Sequence, residues 1–420
     1  MFDLDHWREI GTALAANKLR TGLTAFGVFW GILMLMIMLG SGTGLENGVT
    51  RGFSDNATNS VWIWSQSTSK PYRGLPIGRN PQLMDEDTAA IRERVAGIGI
   101  VAPRLQLGGW RGGNNVTRGD ESGAFSVNGD VPEIMRIEPV RLTSGRFLNR
   151  QDVEERRKVA VIGPRVVEVL FEPGENPIGE HIRINGVYFK VVGTFKPISS
   201  DDQQDQETIH VPLTTFQHAF NAPGRVHWFA LIPQDGVPSS RIEDATLALL
   251  RQRHKVHPDD QRAFGHFNLE KEYKEVQGLF VGIRTLVWIV GLGTLAAGVI
   301  GVSNIMLVIV RERTHEIGIR RAIGATPAAV MGQIVLEAVL LTSAAGYAGL
   351  VLGMVGIDLI ASALPKSEPT QETMFLNPAV DLTSAMQALA ILIVAGCLAG
   401  IIPARRAVAT TPVNALRSEA

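Results

Sequence analysis

The sequence predicts an α-helical membrane protein with four transmembrane helices and an α+β extracytoplasmic domain inserted between the first and the second. Three observations predict it: four apolar runs long enough to cross a bilayer, basic flanks that alternate with an acidic one, and a hydrophilic stretch, 46–278, in which strand and helix signals interleave. The composition agrees. With 19% charged residues and a mean hydropathy of +0.12 over 420 residues, the chain is more apolar than a soluble domain usually is.

The elements follow in order. Within 1–20, Leu4, Trp7, Gly11, Leu14 and Lys18 recur at helical spacing, with Asp5, Arg8, Glu9 and Thr12 elsewhere on the wheel. This reads as an amphipathic helix lying on the cytoplasmic membrane surface. Thr21 to Leu45 is uncharged and gives the first span, 21–45. A helix needs about 20 apolar residues to cross roughly 30 Å of hydrocarbon. The run is too long for a cleaved signal peptide and lacks a small-x-small cleavage pattern.

In 46–278, strands are expected at Val61–Trp64, Val159–Ile162, His181–Ile184, Tyr188–Phe195, Glu207–Val211 and Val226–Ile232. Asn185-Gly186 between two of them is a hairpin turn signal. Helices are expected at Asp85–Val95, Pro164–Phe171 and Arg241–Val256, and Gly108–Gly123 reads as a loop or flexible hairpin. Without regular βαβ spacing, α+β is favoured over a doubly wound sheet. Glu270–Arg284 would extend the second span outward as a helical stalk.

The second span is 279–310, the loop after it 311–326, the third span 327–360, a short outer loop 361–381, the fourth span 382–404 and the tail 405–420. Lys18 and Arg20, then Arg311, Arg313, Arg320 and Arg321, then Arg405, Arg406 and Arg417 flank one side of the spans. The loop 361–381 carries Lys366 against Glu368, Glu372 and Asp381. The positive-inside rule therefore puts both termini in the cytoplasm and 46–278 outside.

Catalytic signatures are absent. There is no GxxxxGK[ST], GxSxG, HExxH or CxxC, so neither ATP hydrolysis by this chain nor a metal or cofactor bound by it is expected. Asp201, Asp202, Asp205 and Glu207 lack calcium-loop spacing and read as an acidic hairpin tip. His254 and His257 would share a helix face at i, i+3, but no third ligand lies nearby in sequence, so surface histidines are favoured. Gly40–Gly52 is glycine-rich but follows a span rather than a strand, so phosphate binding is not expected. The single cysteine, Cys397, sits in an apolar run, leaving the outer domain without disulfides. Nothing points to nucleic acid. Trp62-Ile63-Trp64 through Lys70-Pro71-Tyr72-Arg73-Gly74 reads either as a cargo contact or as packing at the base of the domain.

The loop after the second span is the unusual feature. Ile317, Ile319, Ala322 and Ile323 give a short amphipathic helix bearing Arg320 and Arg321, Gly324 could close it, and Thr326 and Pro327 read as N-cap and first residue of the third span. Such a helix could dock on a soluble partner and pass on its motion, or be an ordinary positive-inside loop. Glu337 is a carboxylate inside a span. Its insertion costs roughly 2.5–3.5 kcal/mol, so it should face protein and either pair or protonate, a bridge to an arginine of this loop being favoured over a proton relay. Gly27 and Gly31, Gly349 and Gly353, and Gly396 and Gly400 form GxxxG pairs, which let helices approach closely.

The segment Arg311–Thr342, RERTHEIGIRRAIGATPAAVMGQIVLEAVLLT, resembles the signature of MacB/FtsX-type permeases of ABC transporters. Ala16–Thr21, Gly145-Arg146-Phe147, Lys158–Gly163, Leu170–Phe195 with Asn176-Pro177-Ile178-Gly179, Pro403–Ala407 and Pro412–Glu419 are similar to other parts of that family, in its order. The resemblance implies a MacB-like permease subunit of the inner membrane, dimeric with a second permease subunit. Two copies of an ABC ATPase subunit would hold the ATP-Mg. It makes Glu316, Ile317, Gly318, Ile319, Arg320, Arg321, Ala322, Ile323, Gly324 and Ala325 the helix coupled to the ATPase. The implied mechanism is mechanotransmission: ATP-driven movement of the outer domain acting on cargo already outside, for efflux or export. The chain opens at the amphipathic helix, so the ATPase is expected as a separate polypeptide. A periplasmic adaptor or outer-membrane partner fits the same picture. The alternatives are an FtsX-like regulator of a cell-wall hydrolase, a lipoprotein-release permease and, from another class, a sensory receptor. A receptor would need an output domain longer than 404–420.

Overall fold

The computed structural model describes residues 18–53, 56–108, 113–198, 203–363 and 375–409. The amphipathic reading of Leu4 to Leu14, the acidic pair Asp201 and Asp202, most of the loop 361–381 and the tail beyond Ala409 lie outside the described residues. The chain divides into two compact units, one built on the four apolar helices and one on the segment inserted between the first two.

Among the described residues, four helices are long and apolar enough to cross a membrane: Lys18–Arg51, Leu269–Glu312, Pro327–Ala363 and Leu382–Ala409. Each contains the span expected for it and runs beyond it. The first runs past Leu45 to Arg51, and the predicted stalk and second span form one 44-residue helix. The bundle interior mixes aliphatic and small residues: Val28, Ile32, Leu35, Met36, Leu341, Leu350 and Leu392 pack with Ala338, Ala345, Ala388, Ala395, Ala399 and Ala404. Other large apolar side chains point outward, with Leu279 68% and Leu382 78% exposed. An apolar outer surface suits a hydrocarbon solvent, from which apolar groups gain nothing by hiding.

The inserted unit is α+β. Its strands are β1 (Val61–Ser65), β2 (Leu83–Met84), β3 (Ile98–Gln106), β4 (Asn114–Arg118), β5 (Glu121–Asp130), β6 (Val140–Gly145), β7 (Val159–Ile162), β8 (His181–Ile184), β9 (Val187–Pro197), β10 (Thr208–Pro212), β11 (Arg225–Val226), β12 (Trp228–Pro233) and β13 (Phe264–Asn268). Eleven form one sheet in the order β10-β7-β9-β8-β4-β5-β3-β12-β1-β13, with β6 on β9. Because β10 also pairs in parallel with β5, the first six strands close on themselves into a ring. Phe125, Val127, Ile162, Ile182, Phe189, Ile209 and Phe216 fill its core. The remaining strands, β3-β12-β1-β13, form an open antiparallel region. Its apolar residues pack with those of helices Asp85–Arg94 and Ser239–Arg253 in a second core.

Within Gly108–Gly123 the hairpin alternative forms: Asn114–Arg118 and Glu121 onward pair and turn at Gly119. Other expectations change. Val226–Ile232 divides at His227 into β11 and β12. Helix Ser239–Arg253 ends before His257, so His254 and His257 do not share a helix face; Lys255, at φ +51°, turns the chain away. The Asn185-Gly186 hairpin forms as expected, with φ of 42° and 90°, joining β8 to β9.

A buried polar network ties the ring to the open region. Arg104 Nε on β3 donates to Asp130 Oδ1 on β5 at 2.5 Å, and its Nη2 lies 2.7 Å from Glu138. His210 Nδ1 on β10 lies 2.7 Å from Asp130 Oδ2, with the rings of Phe147 and Phe195 against the imidazole. Burial alone would raise the pKa of Asp130, but Arg104 and His210 outweigh it and hold the carboxylate below its ordinary range.

Candidate functional site

The distinctive chemistry of the membrane unit sits where the second span meets the third. A helix over Thr314–Ala322 connects them. It begins almost without a break from the second span, since the Arg313 amide still donates to Ile309 O at 3.0 Å. Thr314 Oγ1 bonds back to Val310 O at 3.0 Å and Arg311 O at 2.8 Å. It ends because Gly324, at φ +109°, takes a conformation that L side chains rarely adopt. The amides of Gly324 and Ala325 then donate to Arg321 O and Arg320 O, satisfying carbonyls the helix leaves open. The third span starts at Pro327, and Thr326 Oγ1 accepts from the Ala329 amide at 3.3 Å. The expected segment 316–325 thus divides into helix up to Ala322 and a turn made by Ile323, Gly324 and Ala325.

The side chains of this helix separate by face. Ile317 packs on the bundle core and Gly318 is buried. Arg320 Nη1 donates to Gln333 Oε1 of the third span at 3.0 Å. Arg321 Nη1 donates to Val408 O, in the last turn of the fourth, at 2.7 Å. Arg313 Nη1 lies 3.3 Å from Glu337 Oε1, and Glu337 is only 6% exposed. Arg313, Glu316, Arg320, Gln333 and Glu337 line a cleft of about 40 Å³ beside Ile309 and Ile334. Facing away are Ile319 (40% exposed), Ala322 and Ile323 (82% exposed). The arginine pair, which the sequence alone presents as the helix's most conspicuous feature, reaches back into the bundle, and the outward ridge is Ile319, Ala322 and Ile323 with the exposed Glu316 one turn before Ile319.

The pairs Gly27/Gly31, Gly349/Gly353 and Gly396/Gly400 are used within one copy. Gly27 and Gly31 lie against Gly298, Thr294 and Leu295 of the second span. A Cβ on Gly349 would stand 2.5 Å from Phe29 O, and one on Gly353 2.6 Å from Met36 Cβ, both on the first span. Gly396 and Gly400 lie against Thr342, Val339 and Val335 of the third. By contrast, Gly278, Gly282 and Gly293 on the second span have open space beside them.

A further polar tie holds the opposite end of the bundle, and sequence reasoning missed it. Arg284 Nη2 lies 2.7 Å from Glu46 Oε2, the Leu376 amide donates to Gly44 O at 2.9 Å, and Phe375 and Pro378 close over Gly44. The signal available was one basic residue near the outer end of the second span and one acidic residue just after the first.

The remaining candidates lie in the inserted domain. Trp62 packs on Phe267, and Gly265 makes room for the Trp64 indole. The stretch around Tyr72 is a tight turn whose base is fixed by buried Asp260, which accepts from the Ser69 and Lys70 amides and the Ser69 hydroxyl. His254 bonds Asp87 at 2.9 Å and His257 stands edge-on to Tyr72. Among the described residues, no group of three His, Cys, Asp or Glu could hold a metal ion.

Comparison with known proteins places these features. The profile of the MacB-like periplasmic core domain matches residues 21–249, and that of the FtsX-like permease C-terminal region matches residues 288–412. The macrolide export ATP-binding/permease protein MacB of Bdellovibrio bacteriovorus is 28% identical over 99% of this chain and 62% of its own length. The pyoverdine export ATP-binding/permease protein PvdT of Pseudomonas putida is 31% identical over 96% of this chain and 58% of its own. The chain therefore spans about three fifths of the length of these relatives. Among solved structures, the periplasmic region of MacB from Actinobacillus actinomycetemcomitans aligns with a TM-score of 0.43 at 20% identity, covering 54% of this chain and 95% of that one. The extracellular domain of the noncanonic ABC-type transporter YknZ from Gram-positive bacteria aligns with a TM-score of 0.41 at 15% identity, covering 50% and 100%. With the family profile matched over more than half its length, the chain belongs to the ABC transporter permease family that joins a MacB-like periplasmic core domain to an FtsX-like permease region.

Proposed function

We propose that this chain is the inner-membrane permease subunit of an export-type ABC transporter, converting ATP turnover in a partner into movement of its inserted domain. The observation that carries this reading is the connecting helix, with Ile319, Ala322 and Ile323 outward and its arginines turned into the bundle. An apolar ridge exposed on a short, capped helix between two spans suits a groove on a soluble partner. The Arg311-rich side then faces the cytoplasm, both termini lie there, and the inserted domain lies in the periplasm. On this reading ATP-Mg belongs to two copies of an ABC ATP-binding partner, which fits the ATP-binding function that both relatives carry in their names. The continuous helix Leu269–Glu312 is the covalent path by which motion would reach the inserted domain. Both relatives named above carry export in their names, which favours efflux or export for this chain too.

A second permease copy fits the second span, where Gly278 and Gly282, a further GxxxG pair, and Gly293 remain open. The docking reading is tested by co-purifying the chain with its ATP-binding partner. Ile319→Asp and Ile323→Asp should each weaken association by about 30-fold or more, as expected of an interface hot spot of about 2 kcal/mol. Association and ATP turnover unchanged in both variants would overturn it.

A further inference from the structure

The connecting helix is covalently part of a line from the second span to the third, yet three arginines bind it sideways. Arg313 and Arg320 are seven residues apart, two turns of helix, and so lie on one face. Their partners Glu337 and Gln333 are four apart on the third span, in the opposite order. The two contacts form an antiparallel ladder, with Ile317 and Ile334 packed on the bundle core beside it. Arg321 crosses instead to the fourth span. Its target, Val408 O, is one of the last four carbonyls of helix Leu382–Ala409, which have no intrahelical donor. A cation there also meets the negative end of the helix dipole.

The geometry points to Arg313, Arg320 and Arg321 as positioning residues that fasten the connecting helix to the third and fourth spans. A push on the apolar ridge is then delivered to three spans together instead of bending the turn at Gly324. Glu337 is thereby assigned as the buried half of this fastening. Guanidinium groups suit the task because they remain charged and offer several donors in a fixed plane, whereas a lysine offers a point charge. The purpose rests on the coupling reading above; the fastening itself is a property of the permease alone and can be measured without any partner.

The test is amide hydrogen exchange on the full chain in lipid nanodiscs, with no ATPase present. In Arg320→Leu and in Arg313→Gln, the amides of 314–323 should exchange about tenfold faster or more, the cost of losing one hydrogen bond to a charged group. Amides in the first span should not change. Arg313→Lys should restore part of the protection, and the exchanged pair Arg313→Glu with Glu337→Arg should restore most of it. Unchanged exchange over 314–323 in every variant would overturn the assignment, because the arginines would then hold nothing within the chain. Protection lost across all four spans and not regained in the exchanged pair would overturn it equally, since they would then stabilise the whole bundle. Failure of the coupling reading would appear separately, as unchanged partner association in the Ile319 and Ile323 variants alongside an intact exchange result.

Discussion

The membrane bundle and the inserted domain differ in what they enclose and in what they leave outside. In the domain, Phe189, Phe195, Phe216, Phe229 and Phe264 are almost completely enclosed, and removing their surface from water is what holds the ring and the open sheet together. In the bundle, alanines and glycines meet across the helix contacts beside buried leucines, and many further leucines and isoleucines face outward. Lipid offers no hydrophobic reward for hiding them, so close approach and a few polar ties must fix the helices in place. The lesson is that one added methyl group should matter most in the bundle, and one lost charge most in the domain.

The largest effect is expected at the buried charge network. Arg104→Met leaves Asp130 enclosed without its guanidinium and should cost about 3–5 kcal/mol. Faster hydrogen exchange along β3 and β5, with the spans unaffected, would show it. The same network gives the domain an acid limit. Asp87, Asp130 and Asp260 are all held below their ordinary range: in each, hydrogen-bonded or charged neighbours outweigh burial, which acts the other way. The stability they contribute is therefore fully present above the unfolded carboxylate pKa of about 4 and is lost as pH falls through the lower folded values. Protection of the β5 amides, relative to their intrinsic exchange rate at each pH, should fall on acidification, and less so in Arg104→Met.

A smaller effect is expected in the bundle, at a single glycine. Gly349→Val should separate the first and third spans and cost about 1–3 kcal/mol. Gly282→Val, placed in open space, should leave the permease copy as stable as before. Cys397, the single thiol of the chain, reports both through its reactivity on heating. Equal thermal shifts in the two variants would erase the contrast between occupied and open glycines.

What could be read from the sequence divides along the same line. The spans were legible because lipid demands an unbroken apolar run, and the β8–β9 hairpin because Asn185-Gly186 can adopt the turn with little strain. Strands β3 and β5 were not, because Arg104, Gln106, Ser126, Asn128 and Asp130 sit inside them and break the apolar alternation that marks a strand. The β5–β10 pairing joins residues some 80 positions apart, and no local pattern encodes it. At the connecting helix, the amphipathic pattern and the Gly324 stop were legible. The direction of Arg320 and Arg321 was not, because their acceptors, Gln333 and Val408 O, come into reach only when the third and fourth spans pack.

The central claim is that the outward ridge of the connecting helix is where a partner engages this chain. A spin label at Ile323→Cys, in a Cys397→Ser background and in nanodiscs, tests it most directly. The account predicts a mobile spectrum for the permease alone and an immobilised one when the ATP-binding partner is added. A spectrum that stays mobile while the partner demonstrably co-purifies would contradict it.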